Sequence, residues 1–272
     1  MTGGQLLTLD EAAERLGVHY MTAYRYVRTG RLRAVKVGRI WQVDSVDVDA
    51  LGGGGPGAVS GPKGDAATRF EARLLAGDEA GAWTVVEEEL VNGREPAEVM
   101  VGIIATAMGS IGARWDRGEV TVVDEHLATT IATRVIARLG PQFARRGLAR
   151  GVVVLGAPAG DHHALPTAIV RDLLRGEHFD VVDLGADVPA DSWAEASASA
   201  GVSSPSLVAV GIAVSTADNE RAVSGAIDAI RSVTAAPIVV GGVAAVAFEA
   251  AQSGVMITAS ALDAVAFITS LV

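Results

Sequence analysis

The pattern of apolar and polar positions divides the chain into three kinds of segment. The first fifty residues mix short apolar stretches with polar turns, and residues 65–147 repeat apolar positions at helical spacing. From residue 148 onward, short continuous apolar runs alternate with helical patterns. Such runs are typical of strands buried on both faces of a parallel sheet. This alternation predicts a C-terminal Rossmann-like (flavodoxin-like) α/β domain over 148–272, with a five-stranded parallel sheet.

The first of these apolar runs is Val152 to Leu155, bounded by glycines. A loop follows over 156–161, and then a helical pattern ends at Gly176, a residue suited to a helix C-terminus. Open α/β sheets bind ligands outside the carboxyl ends of their strands. The loop after the first strand is therefore a candidate ligand site.

This loop carries the sequence Asp161-His162-His163. Imidazole is a ligand for cobalt, zinc, iron or nickel, and a ligating imidazole usually donates its other N–H to a carboxylate. Asp161 is near enough in sequence to do this for His163. The alternative is a polar loop that holds histidines by chance, and the loop alone leaves both interpretations open.

Residues 65–147 predict a four-helix bundle, with helices over 66–75, 79–91, 96–117 and 122–146. A short connection between the third and fourth helices brings Trp115 close to Glu125 and His126. An aromatic ring beside polar groups suits contact with an organic ligand. The alternative is that Trp115 belongs to the bundle core and that Glu125 and His126 form an exposed helix start.

Residues 1–51 predict a helix-turn-helix DNA-binding domain. Thr8 and Glu11 have the spacing of a capping box, and a helix after them is expected to extend through Leu16. A second helix is expected over about 19–29, followed by a hairpin around Gly38 and a third small helix. The predicted fold is winged-helix-like.

The charge distribution supports this interpretation. Between residues 15 and 43 there are seven Arg or Lys residues and no Asp or Glu, although the whole chain carries a net charge of −10. A basic run can be only a solvated surface, but here it coincides with a recognition-helix pattern. We expect base edges to be contacted by Tyr20, Thr22, Ala23 and Tyr26. We expect phosphates to be contacted by Arg25, Arg28, Arg33, Lys36 and Arg39.

Residues 52–64 hold seven glycines and two prolines, which predicts a flexible linker with a span of roughly 20 Å. A single small DNA-binding domain makes few contacts with DNA. We therefore expect the protein to bind repeated half-sites of double-stranded DNA as a homo-oligomer, either a dimer or a tetramer. The chain has no cysteine, which excludes disulfides and thiolate metal sites. No signal peptide and no apolar run of transmembrane length is evident, so a cytoplasmic protein without a membrane partner is expected.

Several of these motifs occur in the order that cobalamin-binding domains show. That family has an Asp-x-His-x-x-Gly signature, then a Ser-containing strand end, then Gly-Gly. The segment over about 65–272 resembles it through Asp161, His163, Ser215, Thr216, Gly241 and Gly242. Pro166 stands where the family has the signature Gly. The resemblance implies that His163 coordinates cobalt from below, and that the displaced base and its tail lie among Ser215, Thr216, Gly241 and Gly242.

Two further resemblances concern the N-terminal unit and the bundle. The N-terminal unit resembles the DNA-binding domains of MerR and excisionase type. The spacing Trp115, nine residues, Glu125-His126 resembles the cap of CarH-type adenosylcobalamin photoreceptors. That resemblance implies a non-enzymatic regulator in which these three residues surround the adenosyl group. It also implies a dark tetramer that represses, and photolysis that breaks up the assembly and releases DNA.

One residue departs from this pattern. The family has a cobalt-binding His directly after the Trp, and this chain has Asp116. Three alternatives remain open at this stage: His126 takes that role, water occupies the upper position, or the light chemistry differs. Two functions other than a photoreceptor are alternatives: a light-independent B12-sensing regulator, and a corrinoid carrier protein for methyl transfer.

Overall fold

A computed structural model of the protein describes residues 6–16, 23, 27, 32–37, 40–52, 65–202, 205–248 and 254–272. The chain forms two compact units, Met1–Lys63 and Gly64–Val272. Most of the predicted linker lies outside the described residues.

The N-terminal unit is a small α/β fold around its own core. Its elements are β1 (Leu6–Thr8), α1 (Leu9–Leu16), β2 (Ala34–Val37), β3 (Ile40–Asp44) and α2 (Ser45–Gly52). The strands form an antiparallel sheet in the order β1-β3-β2, and β2 and β3 make the predicted hairpin. The capping box is present: the N–H of Glu11 donates to the hydroxyl of Thr8, and the N–H of Thr8 donates to the Glu11 carboxylate. Of the predicted second helix, only Ala23 and Val27 are described, and both are helical.

The second unit begins with the predicted four helices. They are α3 (Ala66–Leu75), α4 (Glu79–Val91), α5 (Pro96–Asp116) and α6 (Val122–Leu139). Within α5, a π-helical segment at Met100–Ala105 separates two α-helical parts. The prediction for the first three helices holds to within one residue.

The fourth helix is shorter than predicted. It ends at Leu139 and gives way to a 3₁₀ turn at Gly140–Phe143. Pro141 lacks the N–H that a continuing helix needs. A side chain at Gly140 would place its Cβ 3.0 Å from a carboxylate oxygen of Asp172, so the chain passes close to the next domain at this point.

The helix α5 is, within the described part of the chain, the one helix long and apolar enough to match a membrane span. This corrects the expectation that no segment reaches that length. Its side chains Met100, Ile103, Ile104 and Ile111 are fully buried in the bundle core. Much of its apolar character therefore belongs to the interior of the second unit.

The rest of the second unit is the predicted α/β domain. Its strands are β4 (Val152–Gly156), β5 (Asp180–Asp183), β6 (Leu207–Ala213), β7 (Ile238–Gly241) and β8 (Val255–Thr258). Its helices are α7 (Leu165–Gly176), α8 (Ala190–Gly201), α9 (Glu220–Arg231) and α10 (Ala261–Thr269). All strand pairs are parallel, in the order β5-β4-β6-β7-β8. The predicted five-stranded parallel sheet is confirmed.

The two faces of this sheet belong to different cores. Val153, Leu155 and Ala209 pack into one continuous core with the bundle helices. The alternate residues Val154 and Val210 pack into a second core with α8 and α9. Because both faces are covered, the strands are continuous apolar runs. The shared core also joins the bundle directly to the sheet.

The strand order reverses between β4 and β6. The chain leaves β4 toward β5 on one side and returns to β6 on the other, so the loops after β4 and β6 lie side by side. This switch point is where open α/β sheets bind ligands.

Gly242, which follows β7, allows a stability test of the carboxyl edge of the sheet. Gly242 has φ +125°, and a Cβ there would collide with the carbonyl oxygen of Val214. We expect Gly242→Ala to lower the free energy of unfolding by about 1–3 kcal/mol, measured by chemical denaturation. Gly225→Ala is the matched control, since this glycine lies within α9 and a Cβ there meets no atom within 4 Å. Unchanged stability of Gly242→Ala would contradict the described backbone.

Candidate cofactor site

The candidate site is built on Asp161, a fully buried carboxylate in the loop after β4. Its Oδ1 lies 2.7 Å from Nδ1 of His163 and accepts the backbone N–H of the same residue at 3.1 Å. Its Oδ2 accepts the backbone N–H of Ser215 at 2.7 Å. One carboxylate therefore orients the imidazole and joins the loops after β4 and β6.

The electrostatics of the pair follow from this geometry. Burial raises the pKa of Asp161, but hydrogen bonds from the His163 ring and from the N–H groups of Ser215 and His163 outweigh it and hold that pKa below its ordinary value. The hydrogen bond to Asp161 raises the pKa of His163; partial burial opposes the rise, and the charges of Asp161 and Glu125 add to it. The carboxylate is thus ionised and the imidazole is basic.

The imidazole of His163 is arranged as a metal ligand. In the neutral ring, Nδ1–H donates to Asp161 and the lone pair is on Nε2. About half of the side chain is exposed, so Nε2 can be approached. A carboxylate that fixes the tautomer and raises the basicity of a histidine is the usual support for a metal-binding imidazole.

A third loop, after β5, holds the first one in place. The N–H of Gly160 donates to Oδ1 of Asp187 at 2.8 Å, and the N–H of Asp187 donates to the carbonyl of Asp161 at 2.8 Å. Asp187 has φ +56°, an uncommon conformation for a residue other than glycine. Sequence reasoning missed Asp187, because its partners are distant in sequence.

The predicted tail slot lies at the same edge of the sheet. The N–H of Val214 donates to the carbonyl of Gly241 at 2.7 Å, and the N–H of Ala244 donates to the carbonyl of Val214 at 3.2 Å. These bonds bring Ser215 and Thr216 beside Gly241 and Gly242. The backbones approach so closely that a Cβ at Gly242 does not fit. The structure therefore groups these four residues with Asp161 and His163.

The residues of the bundle side lie where α5 ends and α6 begins. Trp115 is 46% exposed, so the alternative that it belongs to the bundle core is wrong. Oε1 of Glu125 accepts the hydroxyl of Thr129 at 2.7 Å, and Oε2 lies 2.8 Å from Nδ1 of His126. His126 itself is exposed. The charge of Glu125 also contributes, as the smallest of several causes, to the raised pKa of His163.

The departure at Pro166 has a local explanation. Pro166 lies in the first turn of α7, where the missing N–H costs no helical hydrogen bond and the fixed φ favours the helix. The helix still begins directly after the His163 loop. Replacement of the family glycine therefore keeps the order of loop and helix.

The predicted DNA-contacting residues are only partly described. Arg33 and Lys36 are exposed, and Nζ of Lys36 lies 5.6 Å from the ring centroid of Trp41. Ala23 is fully buried in the core of the N-terminal unit, so its predicted contact with a base edge is corrected: a methyl group packed inside the core does not reach a groove. The other predicted contacts lie outside the described residues: Tyr20, Thr22, Arg25, Tyr26, Arg28 and Arg39.

The residues present fit a cobalt corrin. The donor set is one carboxylate-supported imidazole, which suits a metal whose other ligands come from a macrocycle. The close approach of Gly242 to the backbone of Val214 fixes the loops after β6 and β7 beside each other at this edge of the sheet. The site thus offers one imidazole donor at the carboxyl edge of the sheet, which could hold the cobalt of such a cofactor.

Comparison with known proteins agrees with this chemistry. The B12 binding domain family matches residues 66–139, and a helix-turn-helix domain family matches residues 6–51. The chain is similar to the dimethylamine corrinoid protein of Methanosarcina barkeri, with 34% identity over 37% of this chain and 48% of the relative. It is also similar to trimethylamine corrinoid protein 1 of Methanosarcina acetivorans, with 29% identity over 48% of this chain and 59% of the relative. The chain therefore spans about half the length of these curated relatives.

One solved structure shows the fold. The monomethylamine corrinoid protein of Methanosarcina barkeri superposes with a TM-score of 0.60 at 16% identity, covering 75% of this chain and 96% of that one. The chain thus combines a B12-binding domain with a helix-turn-helix domain, and its homologues are corrinoid proteins. These findings support cobalamin binding, and the helix-turn-helix domain suggests DNA binding.

The Asp161 and His163 pair can be tested without any cofactor. We expect Asp161→Asn to lower the pKa of His163, because the variant removes the charge and the charge-assisted hydrogen bond that raise it. The measurement is an NMR pH titration of the His163 ring in the cofactor-free protein. Asp218→Asn, which removes an exposed carboxylate from the loop after β6, is the control and should leave that pKa unchanged. Equal His163 pKa values in Asp161→Asn and wild type would refute the described pair.

Proposed function

We propose that this protein is a DNA-binding transcriptional regulator that binds adenosylcobalamin and responds to light. The observation that carries the proposal is the Asp161-supported imidazole of His163 at the switch point of the sheet, in a chain that also has a helix-turn-helix domain. Binding a corrin needs the first feature, and reading DNA needs the second. The combination of the two suits a regulator.

In this proposal, each part of the site has a defined task. His163 would hold the cobalt through Nε2, while Asp161 keeps the ring in the required tautomer and orientation. Ser215, Thr216, Gly241 and Gly242 would hold the base of the cofactor and its tail. Trp115, Glu125 and His126 would contact the adenosyl group. The bound cofactor supplies a cobalt–carbon bond that light breaks.

The output of the switch is the oligomeric state and the affinity for operator DNA. A local change in packing at the start of α6 is enough to bias a bistable interface. The partners are therefore double-stranded DNA and further copies of the same chain, without a membrane. The protein acts in the cytoplasm and not as an enzyme.

Two observations favour other functions. Asp116 replaces the cobalt-binding His of the photoreceptor family, which favours a light-independent B12-sensing regulator. The curated relatives are corrinoid proteins, which favours a corrinoid carrier for methyl transfer. The helix-turn-helix domain makes the carrier the least favoured of the three functions, because a carrier for methyl transfer does not need to bind DNA.

The response to light separates these functions. Duplexes selected from random DNA by the dark protein loaded with adenosylcobalamin provide the binding site. We expect green light to weaken binding to this DNA at least tenfold, about 1.4 kcal/mol, measured by gel shift before and after illumination. Protein loaded with cyanocobalamin is the control without a light-labile alkyl group.

Each outcome assigns one of the functions. Identical affinities in darkness and light, with adenosylcobalamin bound, would favour the light-independent sensor. Cobalamin binding without DNA binding would favour the carrier. Unchanged cobalamin affinity and absorbance in His163→Ala would refute the assignment of the lower ligand.

The described basic side chains of the N-terminal unit give a test of DNA contact. Arg33 and Lys36 are exposed, and we expect each to neutralise one phosphate. The double variant Arg33→Gln, Lys36→Gln should reduce the slope of log affinity against log salt concentration by about 1.8. Arg117→Gln with Arg134→Gln removes the same charge from the bundle and should keep the slope. An unchanged slope in the Arg33→Gln, Lys36→Gln variant would show that DNA does not contact these two side chains.

A further inference from the structure

A cavity lies at the amino edge of the sheet, away from the candidate cofactor site. It forms where the connection from the bundle, residues 144–149, passes the turn between α7 and β5. These segments precede β4 and β5, whereas the His163 loop follows β4, so the cavity and His163 lie at opposite ends of the strands. The proposed function gives this cavity no role.

The cavity is small and its lining carries an excess of positive charge. Its volume is about 170 Å³, below the roughly 300–1,000 Å³ of pockets for drug-sized ligands. Arg145 and Arg175 line it together with His178, and Asp180 is the one acidic residue among the described residues of the lining. Because the whole chain has a net charge of −10, this positive charge is a local feature, and it suits a small anion.

Both guanidinium groups are anchored through one nitrogen. Nε of Arg145 donates to the carbonyl of Gly176 at the end of α7, at 3.2 Å. Nη1 of Arg175 donates to Oδ1 of the fully buried Asp172, also at 3.2 Å. The other N–H groups of both side chains have no partner among the residues that the structure describes. Since both arginines are already held in place, a ligand that accepts these N–H groups costs them little further rotamer freedom.

Phosphate fits this arrangement better than a carboxylate does. The two guanidinium groups come from different segments of the chain, and the imidazole of His178 is a third candidate donor. A phosphate group offers three strong acceptor oxygens, whereas a carboxylate has two. Arginine also matches phosphate geometry with two parallel hydrogen bonds.

The backbone of His178 supports a role in binding. This residue follows the end of α7 with φ +65°, a left-handed conformation in which glycine is the usual residue. A side chain in this conformation carries a local energetic cost, and residues with such strain cluster at functional sites. An imidazole that binds a ligand explains why the position does not hold glycine.

Part of the cavity lining is apolar. Leu148 is 97% exposed, and Phe179 is buried with its ring centroid 5.2 Å from the guanidinium carbon of Arg150. Both line the cavity. A ligand with an apolar group next to its phosphate covers Leu148 and removes apolar surface from water.

We propose that this cavity binds a small phosphate monoester. Arg145, Arg175 and His178 bind the phosphate, and the organic group lies against Leu148. The inference is independent of the proposed function, because it requires neither a corrin nor DNA.

The test uses phenyl phosphate as the probe, titrated into the full-length protein without cofactor at constant ionic strength and followed by calorimetry. We expect saturable binding at one site per chain, tighter than that of inorganic phosphate, and no binding of phenol. Arg145→Gln should weaken the affinity by about tenfold or more, because it removes hydrogen bonds between charged groups. Arg146→Gln is the matched control and should bind nearly as tightly as wild type, since Arg146 is exposed and does not line the cavity.

His178→Gly separates binding from folding. Glycine adopts the left-handed conformation without strain, so we expect the midpoint of chemical denaturation to stay or to rise. The affinity for phenyl phosphate should fall in the same variant, because the imidazole is absent. A residue that served only the fold would show no such loss of affinity.

Four results would overturn the inference. The first is the absence of saturable binding of phenyl phosphate to wild type. The second is an equal loss of affinity in Arg145→Gln and Arg146→Gln, which would indicate a general effect of charge. The third is wild-type affinity in His178→Gly, and the fourth is equal affinity for inorganic phosphate and phenyl phosphate, which would exclude a contribution from the organic group.

Discussion

The structure of the site depends on one buried carboxylate. Asp161 accepts hydrogen bonds from the ring and the N–H of His163 and from the N–H of Ser215, while it is itself fully buried. A buried charge is tolerated only where such partners replace water. Each hydrogen bond to a charged group contributes about 1.5–3 kcal/mol, so this set offsets much of the cost of burial. The buried carboxylate and its hydrogen bonds therefore fix the position of the His163 imidazole.

A shared core joins the bundle to one face of the sheet. The bundle helices and one face of the sheet form a single apolar cluster, which includes Phe70 and Ile136 from the bundle and Val153 and Leu155 from the sheet. Interiors of this kind are closely packed and transmit displacement from one element to another. A change at the start of α6 is therefore felt by the sheet, and the reverse also holds.

The fold was largely predictable because its elements are locally encoded. The continuous apolar runs predicted the parallel strands, and helical spacing predicted α3, α4 and α5 almost to the residue. The error at α6 has a physical reason: apolar spacing continues past Leu139, while Gly140 and Pro141 end the helix where the chain passes Asp172. The error at Ala23 has another reason: a small residue within a recognition-helix pattern can face the core as well as the DNA, and this one faces the core.

The sequence by itself determined which side chain is the metal-ligand candidate, because Asp161 and His163 are two residues apart and their pairing needs no long-range contact. It also determined the parallel sheet and the helix-turn-helix pattern. Only the tertiary structure decided that the second oxygen of Asp161 accepts a backbone N–H 54 residues away, and that Asp187 holds the loop. Contacts between distant segments depend on how the strands and helices are arranged in space, and no local spacing of residues records that arrangement.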